Sequence, residues 1–239
     1  MKTLLLSLIV VLVLCVNGLS AGLAGTVKSQ SGEPVPDVFI FYSRSIRDIV
    51  QTDQNGAFTL PYRSRVIFFR RAGYQPLTLI VDSATDRLDV VLNQSSTTEI
   101  ALPVCSTVKD KGTRIGYSLG LLVPEGSASR AGFDVDYGYF SISYGSEKER
   151  VWLEGIYGPM ASPGIPPEEW ILNAAEFTER SYKGKGLLAD MRGKSRDGTY
   201  WRYIGALGES IQYSGLSKEA AEYFDKIIDN ACVNQRSAN

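Results

Sequence analysis

Residues 24 to 92 are interrupted by turn-forming clusters roughly every eight to twelve residues, which leaves room for short strands and none for a helix of ordinary length. The sharpest interruption lies in Thr52-Asp53-Gln54-Asn55-Gly56-Ala57-Phe58-Thr59-Leu60. The Asp53 and Asn55 side chains suit nearby backbone amides, and Gly56 accepts a positive φ without a Cβ clash. Between an alternating run that ends at Val50 and one that opens at Phe58, these residues predict a tight hairpin. Residues 24–27, 38–42, 66–69, 77–81 and 88–92 supply further strands, and Ser31-Gly32-Glu33-Pro34-Val35-Pro36 is a proline-rigidified turn. The expected architecture is a small β-sandwich of the seven-stranded type.

Taken in order, Gly25-Thr26-Val27, the segment from Gly32 to Val38, the Thr52 to Leu60 turn, Gly73-Tyr74-Gln75-Pro76 and Leu88-Asp89-Val90-Val91-Leu92 resemble the carboxypeptidase regulatory-like family of transthyretin-type β-sandwiches, over residues 23–93. The resemblance implies a folding companion or binding module, since such modules accompany peptidases and also receptors and surface proteins. The peptidase itself is missing. The chain contains no histidine, which removes the imidazole ligands of zinc peptidases and the base of His-dependent serine or cysteine hydrolases. No cofactor, metal or catalytic residue is expected.

Lys2 followed by an apolar run from Leu4 to Val16 reads as a signal peptide over residues 1–22, because about thirteen apolar residues fall short of the roughly 20 that span a bilayer. The mature chain is therefore expected to be exported, periplasmic or secreted, with no membrane span. Removing the signal removes Cys15 and leaves Cys105 and Cys232, an even count that predicts one disulfide in an oxidising compartment. The polar stretch around residues 94–103 reads as a linker to a second domain over 104–235.

In that second domain, residues 118–123, 137–144, 151–157, 177–182, 186–194 and 199–204 read as strands, with Arg196-Asp197-Gly198 turning the last pair. Pro166-Pro167-Glu168-Glu169-Trp170 has the proline and acidic signature of a helix start. From Ser217, an expected N-cap, the period becomes helical: Ala220, Phe224, Ile227, Ile228 and Ala231 form one stripe, while Asp225 and Asp229 fall mostly outside it. This predicts an antiparallel α+β domain closed by a C-terminal amphipathic helix.

A formal net charge of −1 gives no reason to expect nucleic acid as a partner. Arg63, Arg65, Arg70 and Arg71 bracket the strand at 66–69, where they offer an anion patch or guard an edge strand against pairing. Tyr137, Tyr139 and Trp170 are the other candidate contact residues. Trp152 and Trp201 join them as faces for stacking sugars, or as ordinary strand packing. Asp134, Asp136, Glu147, Glu149, Glu154 and Asp190 include the acids from which a His-independent carboxylate enzyme would be built. Asp53 to Gly56 looks like the opening of a calcium loop, but Ser64 stands where the bidentate glutamate belongs. Lys183-Gly184-Lys185-Gly186 lacks the end of a phosphate loop and reads as a turn. The expected function is a non-enzymatic exported protein that contacts a protein or polysaccharide of the cell envelope. Carbohydrate binding and a carboxylate enzyme are the alternatives.

Overall fold

A computed structural model describes residues 22–43, 48–95, 100–101, 113–115, 119–123, 129–133, 137–157, 164–183, 189–206 and 208–233. The expected signal peptide lies outside these residues, apart from Gly22. Strand dominates, in several sheets with a C-terminal helix, as the turn spacing requires.

The first unit contains β1 (Leu23–Ser29), β2 (Phe39–Phe41), β3 (Ile49–Gln51), β4 (Ala57–Leu60), β5 (Val66–Arg70), β6 (Leu77–Ile80) and β7 (Arg87–Leu92). One sheet runs β4-β1-β7 and the other β3-β2-β5-β6. Alternate residues of both sheets, among them Leu23, Val27, Phe58, Leu60 and Val90 from one and Ile40, Ile67 and Phe69 from the other, share a single core.

The turn at Asp53 to Gly56 differs from its sequence expectation. It is tight, with Gly56 at φ 70°. The Asp53 Oδ1 accepts from the Asn55 and Ala57 amides at 2.8 Å each. Yet β3 pairs with β2, and β4 with β1, so the turn carries the chain from one sheet to the other instead of closing a hairpin. Thr52 marks the crossing: its buried hydroxyl donates to the Val35 carbonyl and accepts from the Val38 amide.

A second difference concerns β5. It lies between β2 and β6 and is buried along its whole length, so it is not an edge strand and its arginines guard no edge. Ile67 and Phe69 face the sandwich core, whereas Val66 and Phe68 face the second unit.

That second unit is built on an eight-stranded sheet in the order β11-β12-β13-β17-β16-β15-β14-β8. Its members are β8 (Ile100–Ala101), β11 (Ser129–Phe133), β12 (Gly138–Tyr144), β13 (Val151–Tyr157), β14 (Ala174–Lys183), β15 (Ala189–Ser195), β16 (Tyr200–Ala206) and β17 (Glu209–Leu216). A three-stranded sheet adds β9 (Thr113–Ile115), β10 (Leu119–Val123) and β18 (Cys232–Val233). The expected linker includes β8, which pairs in parallel with β14.

Two helices complete the unit, α1 (Glu168–Leu172) and α2 (Lys218–Asp229). Ser217 caps α2 by accepting the Ala220 amide, and Glu219 and Lys226 sit at the dipole ends that favour them. Its apolar stripe packs Ala220, Phe224, Ile227 and Ile228 against Phe140, Ile142, Leu153, Ile204 and Ile211 of the long sheet. The helix therefore covers one face of that sheet. The opposite face is divided. Over β15 and β16, Met191 and Trp201 pack with Phe41, Val66 and Phe68 of the first unit and with Ile165 and Ile171 around α1.

Candidate functional site

The seam between the two units takes up one of the expected contact residues. Arg70 closes β5 fully buried and forms an ion pair with Glu179 of β14, itself nearly buried. Its Nη1 donates to the Phe69 and Leu77 carbonyls at 2.9 and 3.2 Å, and Thr78 Oγ1 donates to Glu179 Oε2 at 2.9 Å. Burial raises the Glu179 carboxyl and lowers the Arg70 guanidinium, and each partner's charge opposes that shift. Arg70 thus joins two units and is unavailable to an external anion.

The other arginines do not converge with it. Arg63 pairs with Asp86, Arg65 is exposed, and the Arg71 guanidinium lies 5.5 Å from the Tyr74 ring centroid. No common anion site results from the four. Trp170 is half-buried and packs on Trp201 at 5.8 Å between centroids, so two of the three tryptophans belong to the seam.

Among the described residues, the apolar cluster of the seam covers only the β14 to β16 part of the long sheet's outer face, and over the rest exposure is uneven, with Arg130, Tyr139 and Glu154 open and Ser143 buried. Strand alternation and register place Arg130 on β11, Tyr139, Ser141 and Ser143 on β12, Trp152, Glu154 and Ile156 on β13, and Gln212 on β17 on this face. Tyr137, two residues before Tyr139, shares its side. The two tyrosines are 40% and 44% exposed, unusually open for rings on a sheet. Tyr139 lies over its cross-strand partner Gly132, where a Cβ would stand 2.5 Å from the tyrosine Oη. The glycine lets the ring lie down across β11 and turn a face to solvent. The same pairing, with Phe140 over Gly155 and Tyr157 over Gly138, fills the helix-side face. The alternation of aromatic and small residues in 137–144 is the sequence trace of this device.

Trp152 completes the platform. The guanidinium carbons of Arg130 and Arg150 lie 5.6 and 5.9 Å from its ring centroid, one reaching across β12 and the other from the residue that precedes β13. Among the described residues neither guanidinium has a carboxylate or hydrogen-bond partner, and the Gln212 Oε1 is likewise unmatched. Arg130 is exposed, whereas the Arg150 Nε and the Gln212 Oε1 are buried.

The carboxylates are not gathered in the way an acid and base pair requires. Glu147, Glu149 and Glu154 are exposed, Asp134 and Asp136 lie outside the described residues, and Asp190 sits on the helix-side face. There Asp190, 2% exposed, receives Arg202 Nε and Nη2 at 2.8 and 2.7 Å. Arg202, 0% exposed, also holds Asp225 at 3.0 Å and Asp229 at 2.8 Å, and Tyr213 donates to Asp225 at 2.7 Å. Burial opposes the Arg202 charge, but the three aspartates outweigh it and raise the guanidinium above its usual value. Burial, with the Asp225 charge, raises the Tyr213 phenol. The network ties α2 to β15, β16 and β17, and its three carboxylates share the one buried guanidinium.

Asp53 binds its own turn, and among the described residues no cluster of His, Cys, Asp or Glu has the makings of a metal site. Cys232 is buried on β18, beside Gly120 of β10. Cys105, its expected partner, lies outside the described residues, as does most of the Lys183 to Gly186 turn.

No protein-family model matches the chain, and comparison with curated proteins returns no match.

Proposed function

We propose that the protein is an exported, non-enzymatic binding module of the cell envelope, in which a carboxypeptidase regulatory-like sandwich buttresses a second domain that carries the ligand surface. The observation that carries this reading is the outer face at β11 to β13, where Tyr137 and Tyr139 are exposed, Tyr139 packed over Gly132, and the half-buried Trp152 lies beside Arg130. Loss of imidazole chemistry from the whole chain, together with buried carboxylates held by guanidinium groups, favours contact over turnover. The seven strands of the first unit, in two sheets around one core, accord with the family resemblance. The partner is a protein or a polysaccharide. The Tyr139 ring, flat against the sheet with its face exposed, favours polysaccharide, because aromatic faces stack on the apolar faces of sugar rings.

The test is equilibrium binding of the mature chain to isolated envelope polysaccharides, with parallel assays for peptide, ester and glycoside hydrolysis. Saturable binding without turnover is expected. Turnover abolished by substitution of one acidic residue in the second unit would replace this reading with a carboxylate enzyme.

A further inference from the structure

We infer that the outer face at β11 to β13 selects an acidic polysaccharide, one whose sugar rings carry carboxylates, a conclusion that rests on the reading above of the chain as a binding module. Tyr139 and Trp152 offer ring faces, and Arg130 and Arg150 stand beside Trp152 with no carboxylate of the described protein to neutralise them. A stacked guanidinium keeps its N–H edge directed outward, in the fork geometry that receives a carboxylate through two hydrogen bonds. Arg130 approaches the indole from β11 and Arg150 from the turn before β13, so carboxylates on successive sugars of one chain can be engaged while the rings lie on the aromatic faces.

The rest of the face distinguishes a sugar from an acidic peptide. One row runs Arg130, Ser141, Glu154, Gln212 across four strands. Glu154 is exposed and unpaired among the described residues, whereas the neighbouring Gln212 Oε1 is buried. Sugar hydroxyls donate to the Glu154 carboxylate oxygens. A run of glutamates or aspartates has no side-chain donors to offer them and would be repelled by Glu154, and by Glu147 and Glu149 in the turn that leads into β13. Local pairing at the arginines, not the net charge of the face, therefore sets the preference. Gly132 becomes a positioning residue, since any side chain there displaces the Tyr139 ring.

The experiment titrates the full mature chain with polygalacturonate, alginate and hyaluronate, with polygalacturonate whose carboxyls are fully methyl-esterified, and with polyglutamate. At least one uronate polymer should bind, and the free acid of polygalacturonate should bind about tenfold tighter than its ester, the effect of losing one charge-assisted hydrogen bond. Arg130→Gln and Arg150→Gln should each erase most of that difference, and added salt should narrow it. Tyr139→Ala and Gly132→Val should weaken acid and ester alike. Unchanged thermal unfolding of the two arginine variants serves as the folding control. Equal binding of acid and ester, indifferent to both arginines, overturns the acidic preference and leaves the binding-module reading standing. Polyglutamate bound as tightly as the uronates replaces the glycan with an acidic peptide. Failure to bind any polymer, acidic or neutral, overturns both.

Discussion

Replacing Arg202 with methionine removes the cation from a site where Asp190 is 2% exposed and accepts two of that guanidinium's hydrogen bonds. Methionine fills part of the volume and offers no donor. Removing one member of a buried ion pair costs about 3–5 kcal/mol, because the remaining charge is left uncompensated. Asp225 and Asp229 add little, since both are partly in solvent and can be hydrated. We therefore expect a loss of about 4 kcal/mol, a large share of the roughly 5–15 kcal/mol that holds a domain folded. Urea unfolding followed by tryptophan fluorescence measures it. The sign of the pH dependence separates this mechanism from simple loss of packing. In Arg202→Met the buried Asp190 charge has no cation beside it, so the variant's deficit relative to the parent should narrow as acidification neutralises it. Asp190→Asn in the same background should recover at least half of the loss and abolish that pH dependence. A variant within about 1 kcal/mol of the parent at neutral pH, well below the range for a buried pair, or one that weakens further on acidification, would refute the reasoning.

Gly56→Val should destabilise the first unit by about 1–3 kcal/mol, since it combines a positive φ with a Cβ that would stand 2.3 Å from the Val27 carbonyl oxygen; thermal unfolding tests it, and Asp53→Ala should respond identically with and without calcium. The Tyr213 phenol is raised in the folded state, so its contribution to stability is full below the unfolded value near pH 10 and is lost as pH rises beyond it. Tyr213→Phe should flatten that alkaline decline, seen by circular dichroism across pH 9 to 12. Mass analysis of the non-reduced mature chain should find Cys105 and Cys232 in one linked pair of peptides; two free thiols would contradict the exported reading.

Elements whose signals are local were legible in the sequence. The strand expected at 151–157 is β13 residue for residue, and Ser217 caps α2 where the helical period begins. β17 was missed because only Ile211 and Tyr213 alternate before Gly215, at φ 68°, breaks the pattern, while the buried Glu209 and Ser210 look like loop residues. Arg70 was misplaced for a physical reason: a charge that ends an apolar run resembles an edge guard, and its partner Glu179 is brought to it only by tertiary packing. Asp225 and Asp229 were assigned to solvent. Their spacing of four residues on one helix face, opposite an arginine that shares the side of Ile204, is the signal by which the Arg202 network was open to discovery. Of the candidate surface, Tyr137 and Tyr139 were legible. Arg130 and Arg150 were not, because nothing local shows that both reach Trp152.

The proposed recognition surface is the outer face of the long sheet at β11 to β13, not the arginine-flanked strand of the sandwich. Hydrogen exchange of the mature chain, with and without a bound envelope polysaccharide, tests this most directly. Added protection is expected in segments 129–133, 137–144 and 150–156, with Val66–Arg70 unchanged because that strand is already buried in the seam. Protection centred on the loops around Arg63, Arg65 and Arg71, with the second sheet unaffected, would contradict it.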